Sequence, residues 1–111
     1  MWDVQFDDEF REEFRSLAEP IRQAILAKLI ILREQGPNLG RPSVDSVKGS
    51  AFGNMKELRV QVGGDPWRVL FAFDPGRRAI LLVGGNKAGD KRWYKRFVPV
   101  ADARYRRHLG R

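Results

Sequence analysis

The chain has 111 residues, 42% of them apolar and 11% aromatic, with no cysteine and one histidine. That composition predicts one globular domain over residues 1–111; it excludes disulfides and thiolate metal sites, and a single imidazole leaves nothing for a histidine-rich metal centre, so neither metal nor cofactor is expected. The net charge of +7 is uneven: residues 1–35 hold five Lys/Arg against eight Asp/Glu, and residues 36–111 hold sixteen against six. The basic part predicts a polyanionic partner.

In chain order, Trp2, Val4 and Phe6 alternate with polar neighbours, as in a short half-buried strand. Phe6, Phe10, Phe14 and Leu17 then recur at the period of an amphipathic helix. Pro20 suits the first turn of a second helix, where a missing N–H costs nothing. Ile21, Ile25, Leu29 and Leu32 continue the period until Gly36-Pro37 stops it, giving an αα-hairpin. The longest apolar run here, Ala24 to Leu32, is broken by Lys28 and falls far short of the roughly 20 residues of a membrane span. With no secretory signal in the acidic opening, a cytoplasmic location without a membrane partner is expected.

Residues 36–54 are rich in Gly and Pro and read as a loop, with Val44 to Val47 a brief ordered turn. "KELRVQV" and "WRVLFAF" alternate and pair across a Gly63-Gly64-Asp65-Pro66 hairpin loop, and Asp74-Pro75-Gly76 turns into a third strand, "AILLVGG". A last helix begins at about Asp90, with Pro99 either bending it or starting its second part. The fold class is α+β: an N-terminal strand and αα-hairpin packed on a mainly antiparallel sheet, in the order β-α-α-β-β-β-α. The helices are placed on one side of that sheet, leaving the other face open.

Gly84 to Gly89 has the glycine spacing of a P-loop, but Asp90 stands where the phosphate-binding lysine belongs and Lys91 where the hydroxyl belongs. An aspartate aimed at a triphosphate repels it, so the glycines are read as structural, bending the chain out of the sheet. The alternation sends Leu58, Val60 and Val62 toward the helices and Glu57, Arg59 and Gln61 to the opposite face. Arg68, beside Trp67 in an apolar run, cannot be buried cheaply without an anion. Either Glu57 forms an ordinary cross-strand ion pair with an arginine, or Arg59 and Arg68 form a fork for a phosphodiester with Glu57 orienting one of them. Lys87 adds a point charge, and Tyr94 can act as acid or base if cations lower its pKa from about 10. Lys56, Lys91, Arg92, Trp93, Lys95 and Arg96 are candidates for RNA binding. Aromatics among cations stack on bases; alternatively Trp93 and Phe97 pack the last helix on the sheet. His108 is expected to be exposed on the terminal helix.

The succession "MKELRVQV", "WRVLFAFD" and "ILLVGGNKAGD" resembles the RelE/ParE superfamily of bacterial toxins, closest to its phage-derived HigB-like branch. There an E-L-R strand, a Y/W-R strand and a G-x-x-K turn recur in that order. The resemblance implies a microbial ribonuclease-type core and a type II toxin: a metal-independent, ribosome-dependent mRNA endoribonuclease that inhibits translation. Attack by the RNA's own 2′-oxygen would leave a 2′,3′-cyclic phosphate. It also implies that Arg59 and Arg68 are the sheet cations, Lys87 the cation after the last strand, and Tyr94 or Trp93 the aromatic beyond it. RelE-type members often carry lysine where Glu57 stands, and several HigB members use a histidine that this chain lacks before residue 108. The implied partners are mRNA, the ribosome and a HigA-like helix-turn-helix antitoxin. A non-catalytic ParE-like inhibitor of DNA gyrase and a non-toxic basic RNA-binding module are the alternatives.

Overall fold

A computed structural model describes residues 1–110. Strand β1 (Asp3–Phe6) is followed by helices α1 (Asp8–Arg15) and α2 (Glu19–Gln35), a short strand β2 (Val44–Ser46), strands β3 (Met55–Val62), β4 (Asp65–Phe73) and β5 (Arg78–Asn86), and helix α3 (Trp93–His108). The sheet order is β1-β5-β4-β3-β2, with β1 parallel to β5 and the other pairs antiparallel.

Local chemistry sets the helix limits. The Asp7 carboxylate accepts the backbone N–H of Glu9 at 3.0 Å and of Phe10 at 3.1 Å, capping α1. Phe6, Phe10 and Phe14 form one aromatic cluster at its inner face. Helix α2 carries Pro20 in its first turn and ends at Gly36, whose φ of 54° and whose contact with the Trp2 ring both exclude a side chain.

Two expectations fail here. Residues Val44–Ser46 are a strand rather than a turn, pairing with Leu58, Glu57 and Lys56 of β3; three residues are too few for alternation to show. The helices also do not share one side. Leu58, Val60, Val69, Phe71 and Leu81 pack with Ile25, Leu29 and Leu32 of α2 and Phe10 of α1. Met55, Leu70, Ala72, Ile80 and Leu82 instead form a second core with Trp93, Val98, Ala101 and Tyr105 of α3. Most of the face expected to be open is therefore covered by α3, a single helix that runs unbroken through Pro99.

The glycine pair has a different job from the one expected. Gly84 and Gly85 lie inside β5, and neighbouring strand residues face opposite sides. A Cβ on Gly84 would meet the Phe10 ring at 3.3 Å, and one on Gly85 would meet Trp93 Nε1 at 3.0 Å. The pair lets an aromatic from α1 and one from α3 approach the same stretch of strand from its two sides.

His108 is partly buried, not exposed: its Nε2 lies 2.8 Å from Asp74 Oδ2. Burial works against the Asp74 carboxylate, but the bonds from His108 and Arg78 outweigh it and hold the group below the usual carboxylate range. Nearby, Arg104 reaches Glu13 Oε2 at 2.6 Å and the Leu82 carbonyl at 2.8 Å, tying α3 to α1 and β5.

Candidate functional site

The uncovered part of the sheet lies beyond the start of α3, and its centre is Glu57. This residue is 3% exposed, yet its carboxylate carries three partners. Arg59 Nε donates to Oε2 at 2.8 Å, Tyr94 OH donates to Oε1 at 2.5 Å, and Arg68 Nε lies 3.6 Å from Oε2. Arg59 and Arg68 stand directly opposite each other in the β3–β4 register. Two adjacent guanidiniums repel, and the carboxylate between them offsets that repulsion.

Sequence reasoning missed Asp45. In the β2–β3 register it stands opposite Glu57, a like-charge pairing that costs stability unless bridged. Arg59 is the bridge: its Nη2 donates to Asp45 Oδ2 at 3.1 Å. Asp45 is held below its ordinary range by the Ser46 backbone N–H and by Arg41, with Arg59 adding to this. The signal for Asp45 lay in recognising β2 as a strand.

Arg59 is kept firmly protonated, chiefly by its bond to Glu57. Arg68 is less well served. Nη1 donates to the Trp67 carbonyl at 3.0 Å, while Nε is buried without a hydrogen-bond partner. Its charge is thus compensated at longer range than that of Arg59, which leaves attraction over for an anion.

Tyr94 does not behave as expected of a base. Burial, then the hydrogen bond and charge of Glu57, push its phenol above 10, and Arg68 only partly opposes this. At neutral pH it is a protonated donor to Glu57. Lys87 Nζ lies over its ring, 5.8 Å from the centroid. Tyr94 and Lys87 thus sit together, beside the two-arginine face.

The remaining candidates divide. Trp93 is 1% exposed and lies in the core against Gly85, so it offers no face to a base; the packing alternative is the one realised. Phe97 packs on the same core. Lys56 belongs to the alternate set of β3 and points away from Glu57 and Arg59, toward the α2 side. Lys91, Arg92, Lys95 and Arg96 are exposed around the start of α3, where Arg96 pairs with Asp90. Asp90 also accepts the Arg92 N–H at 3.0 Å, a local turn role.

Two cavities flank Arg59. One, of about 350 Å³, is lined by Ser46, Val47, Lys48, Glu57, Arg59 and Tyr94. The other, of about 500 Å³, lies between α2 and the end of β3 and includes Arg59, Arg68 and Gln61 in its lining. Among the described residues, no three His, Asp or Glu side chains converge as metal ligands would, and no helix is long and apolar enough to cross a membrane.

This sheet and its helices are the fold of the RelE-like toxins. The isolated E. coli RelE toxin superposes with a TM-score of 0.61 over 78% of this chain and 84% of that one, at 15% identity. A chain of the archaeal RelE-RelB complex from Pyrococcus horikoshii OT3 gives 0.55 over 78% and 94%, at 17% identity. Closer in sequence are two proteins of Mycobacterium tuberculosis (strain ATCC 25618 / H37Rv). "Putative toxin HigB3" is 50% identical over 92 residues, 82% of this chain and 79% of that protein. "Putative toxin HigB2" is 47% identical over 90 residues, 79% of this chain but only 45% of that longer protein. The chain belongs to the family described as Phage derived protein Gp49-like (DUF891), whose model matches residues 12–106, and with it to the RelE/HigB-type toxins of toxin–antitoxin systems.

Proposed function

We propose that this toxin is a ribosome-dependent mRNA endoribonuclease that works without a metal. The observation that carries the reading is the Glu57 carboxylate, hydrogen-bonded at 2.8 Å to Arg59 and 2.5 Å to Tyr94 and opening on a cavity beside Arg59. A carboxylate there takes the proton of an RNA 2′-hydroxyl; the O2′–P bond forms, the P–O5′ bond breaks, and a 2′,3′-cyclic phosphate is left. Arg59 and Arg68 hold the non-bridging oxygens and stabilise the added charge of the phosphorane, the largest contribution such a site offers. Lys87 adds charge near Tyr94.

In-line displacement puts the base and the leaving oxygen on opposite sides of phosphorus. A Tyr94 hydroxyl bonded to Glu57 lies on the base side, where it fixes the carboxylate in place, and the departing O5′ takes its proton from solvent. Such a site has charge stabilisation but little alignment of its own. Alignment is what an mRNA held in a ribosome supplies, and it is worth up to several kcal/mol of barrier. That makes ribosome dependence the natural mode for this geometry.

The test is primer extension on mRNA from translating ribosomes treated with purified protein. Cuts that vanish in Arg68→Ala support the reading, and intact mRNA with the wild type overturns it. A ParE-like gyrase inhibitor would leave mRNA intact and abolish supercoiling by gyrase. The cytoplasmic antitoxin belongs to the same proposal, as a HigA-like helix-turn-helix protein that masks these cations. Co-purification with the product of the neighbouring gene checks it.

A further inference from the structure

Arg59 meets two carboxylates, and only Glu57 takes part in the steps above. Glu57 Oε2 accepts from Nε at 2.8 Å, and Asp45 Oδ2 accepts from Nη2 at 3.1 Å. These two nitrogens form one edge of the guanidinium plane, an edge on which a single phosphate can be held by two parallel hydrogen bonds. In this protein the edge is divided between two strands, β3 supplying Glu57 and β2 supplying Asp45.

The two carboxylates are held differently. Glu57 is buried, and its other oxygen is fixed by the Tyr94 hydroxyl at 2.5 Å. Asp45 is half-buried on β2, an edge strand of the sheet. It also has a second cation: Arg41 Nε lies 3.1 Å from the same Oδ2, on a side chain that is 78% exposed. Asp45 can therefore leave Arg59 and remain paired, whereas Glu57 cannot leave without stranding a buried charge. The Ser46 backbone N–H and Arg41 hold the Asp45 carboxyl below the usual carboxylate range, so it is an anion at neutral pH.

An anion bonded to Nη2 opposes an incoming phosphate in two ways. It covers one of the donors, and its charge repels the phosphate. Placing Arg59 does not require it, since the shorter bond to Glu57 already fixes the guanidinium. A phosphate that arrives aligned can take Nη2 and turn Asp45 toward Arg41. A freely tumbling RNA must supply that alignment itself.

We propose that Asp45 is a built-in competitor for the RNA phosphate: it occupies Nη2 of Arg59 and yields it, turning to Arg41, to a phosphate that is already aligned. It thereby sets a preference for ribosome-held mRNA over free RNA of the same sequence. Asp45 acts through Arg59 and is a positioning residue. The preference rests on the ribonuclease reading, whereas the competition for Arg59 does not. Two measurements keep them apart.

The first is fluorescence anisotropy with a short single-stranded RNA whose 2′-O-methyl groups prevent cutting. Asp45→Asn should bind it about three- to tenfold more tightly than the wild type, the scale of one unit charge a few ångströms away in a largely aqueous setting. That margin should narrow as salt is raised, which the loss of a merely structural contact would not do. Asp45→Ser removes the same charge and should act in the same direction, while Arg41→Ala should bind more weakly than the wild type. Equal or weaker binding by folded Asp45→Asn or Asp45→Ser overturns the competition and makes Asp45 a strut for Arg59. In isotope-labelled wild-type protein, the same RNA should shift the Asp45 carboxyl carbon and the Arg41 Nε–H signals in NMR spectra. If it shifts Arg59 and leaves both of these unmoved, the competition is overturned without recourse to a variant.

The second is primer extension on one mRNA, free and on translating ribosomes. The ratio of free to ribosome-held cutting should rise in Asp45→Asn by about the same three- to tenfold, and an unchanged ratio overturns the preference. Wild-type protein that leaves mRNA intact, while Asp45→Asn binds the oligonucleotide more tightly, removes the ribonuclease and retains the competition. Wild-type protein that cuts, with no tighter binding by the Asp45 variants, does the reverse.

Discussion

Two clusters in this protein are built from the same ingredients, buried arginines and carboxylates, and come out differently. Around Arg104, Glu13, Glu9 and Asp7 all lie within 3.8 Å and a backbone carbonyl takes a further N–H. Both Nη atoms of that guanidinium are hydrogen-bonded, and Arg107 adds another pair of contacts to Asp7 and Glu9. Around Glu57 the supply is uneven: Glu57 and Asp45 both bond Arg59, Tyr94 takes the other Glu57 oxygen, and Arg68 Nε is left without a hydrogen bond. An arginine held by both Nη atoms is a strut. An undersupplied one keeps attraction in reserve, which is what the proposed RNA phosphate would draw on.

The comparison predicts opposite consequences for two similar substitutions. Arg68→Ala should lower ribosome-dependent cleavage by about 10²- to 10³-fold, the usual cost of removing one transition-state donor, and should cost no more than about 1 kcal/mol in urea unfolding. Arg104→Ala should cost about 3–5 kcal/mol, since it strands carboxylates built around a buried partner. Equal destabilisation by both would erase the distinction.

Next in size is the packing beneath the site. Gly85→Ala should destabilise by about 1–3 kcal/mol by pushing against Trp93 and should lower cleavage as well, since Tyr94 follows Trp93 in α3. Denaturant melts and primer extension on the same preparation check both.

At the other end of α3, Asp74 has a depressed pKa, so its ionised form adds stability above its ordinary 3.8 that is lost as pH falls through the lower folded value. Asp74→Asn should therefore be the less stable protein at pH 7, by about 1–2 kcal/mol for loss of charged hydrogen bonds. The difference should shrink below pH 3.8. Tyr94 runs the other way. With its pKa raised above 10.0, its contribution holds below 10.0 and fades as pH rises through the folded value. The difference between the ultraviolet titrations of the wild type and Tyr94→Phe should have its midpoint above 10.0. A midpoint below that would restore Tyr94 as a base. Smallest of all, Lys56→Ala should change cleavage by less than about twofold, because period-2 alternation turns it to the wrong face.

Much of this was legible in the sequence. Phenylalanines at helical spacing, Pro20 and Gly36 fixed the hairpin, and strict alternation in "KELRVQV" separated Leu58 and Val60 from Glu57 and Arg59. Three things were hidden. A three-residue strand is too short to show a period, so β2 and with it Asp45 went unseen. Whether Trp93 stacks on a base or fills a core depends on what lies across from it, and the answer is an absent side chain at Gly85. The pKa of Tyr94 depends first on burial and then on whether an anion or a cation is nearest, and only the fold buries the phenol and sets it against Glu57.

Gly84 and Gly85 leave β5 without side chains where Phe10 presses from one side and Trp93 from the other. At that point the sheet is no thicker than its own backbone, so the spacing between the two helical layers is set by missing carbons. Tyr94 is the next residue after Trp93, and its 2.5 Å contact with Glu57 inherits that spacing. The calibration of the phenol against the carboxylate thus resides in a strand that carries neither of them. A single methyl group added there would alter it without touching any polar atom of the site.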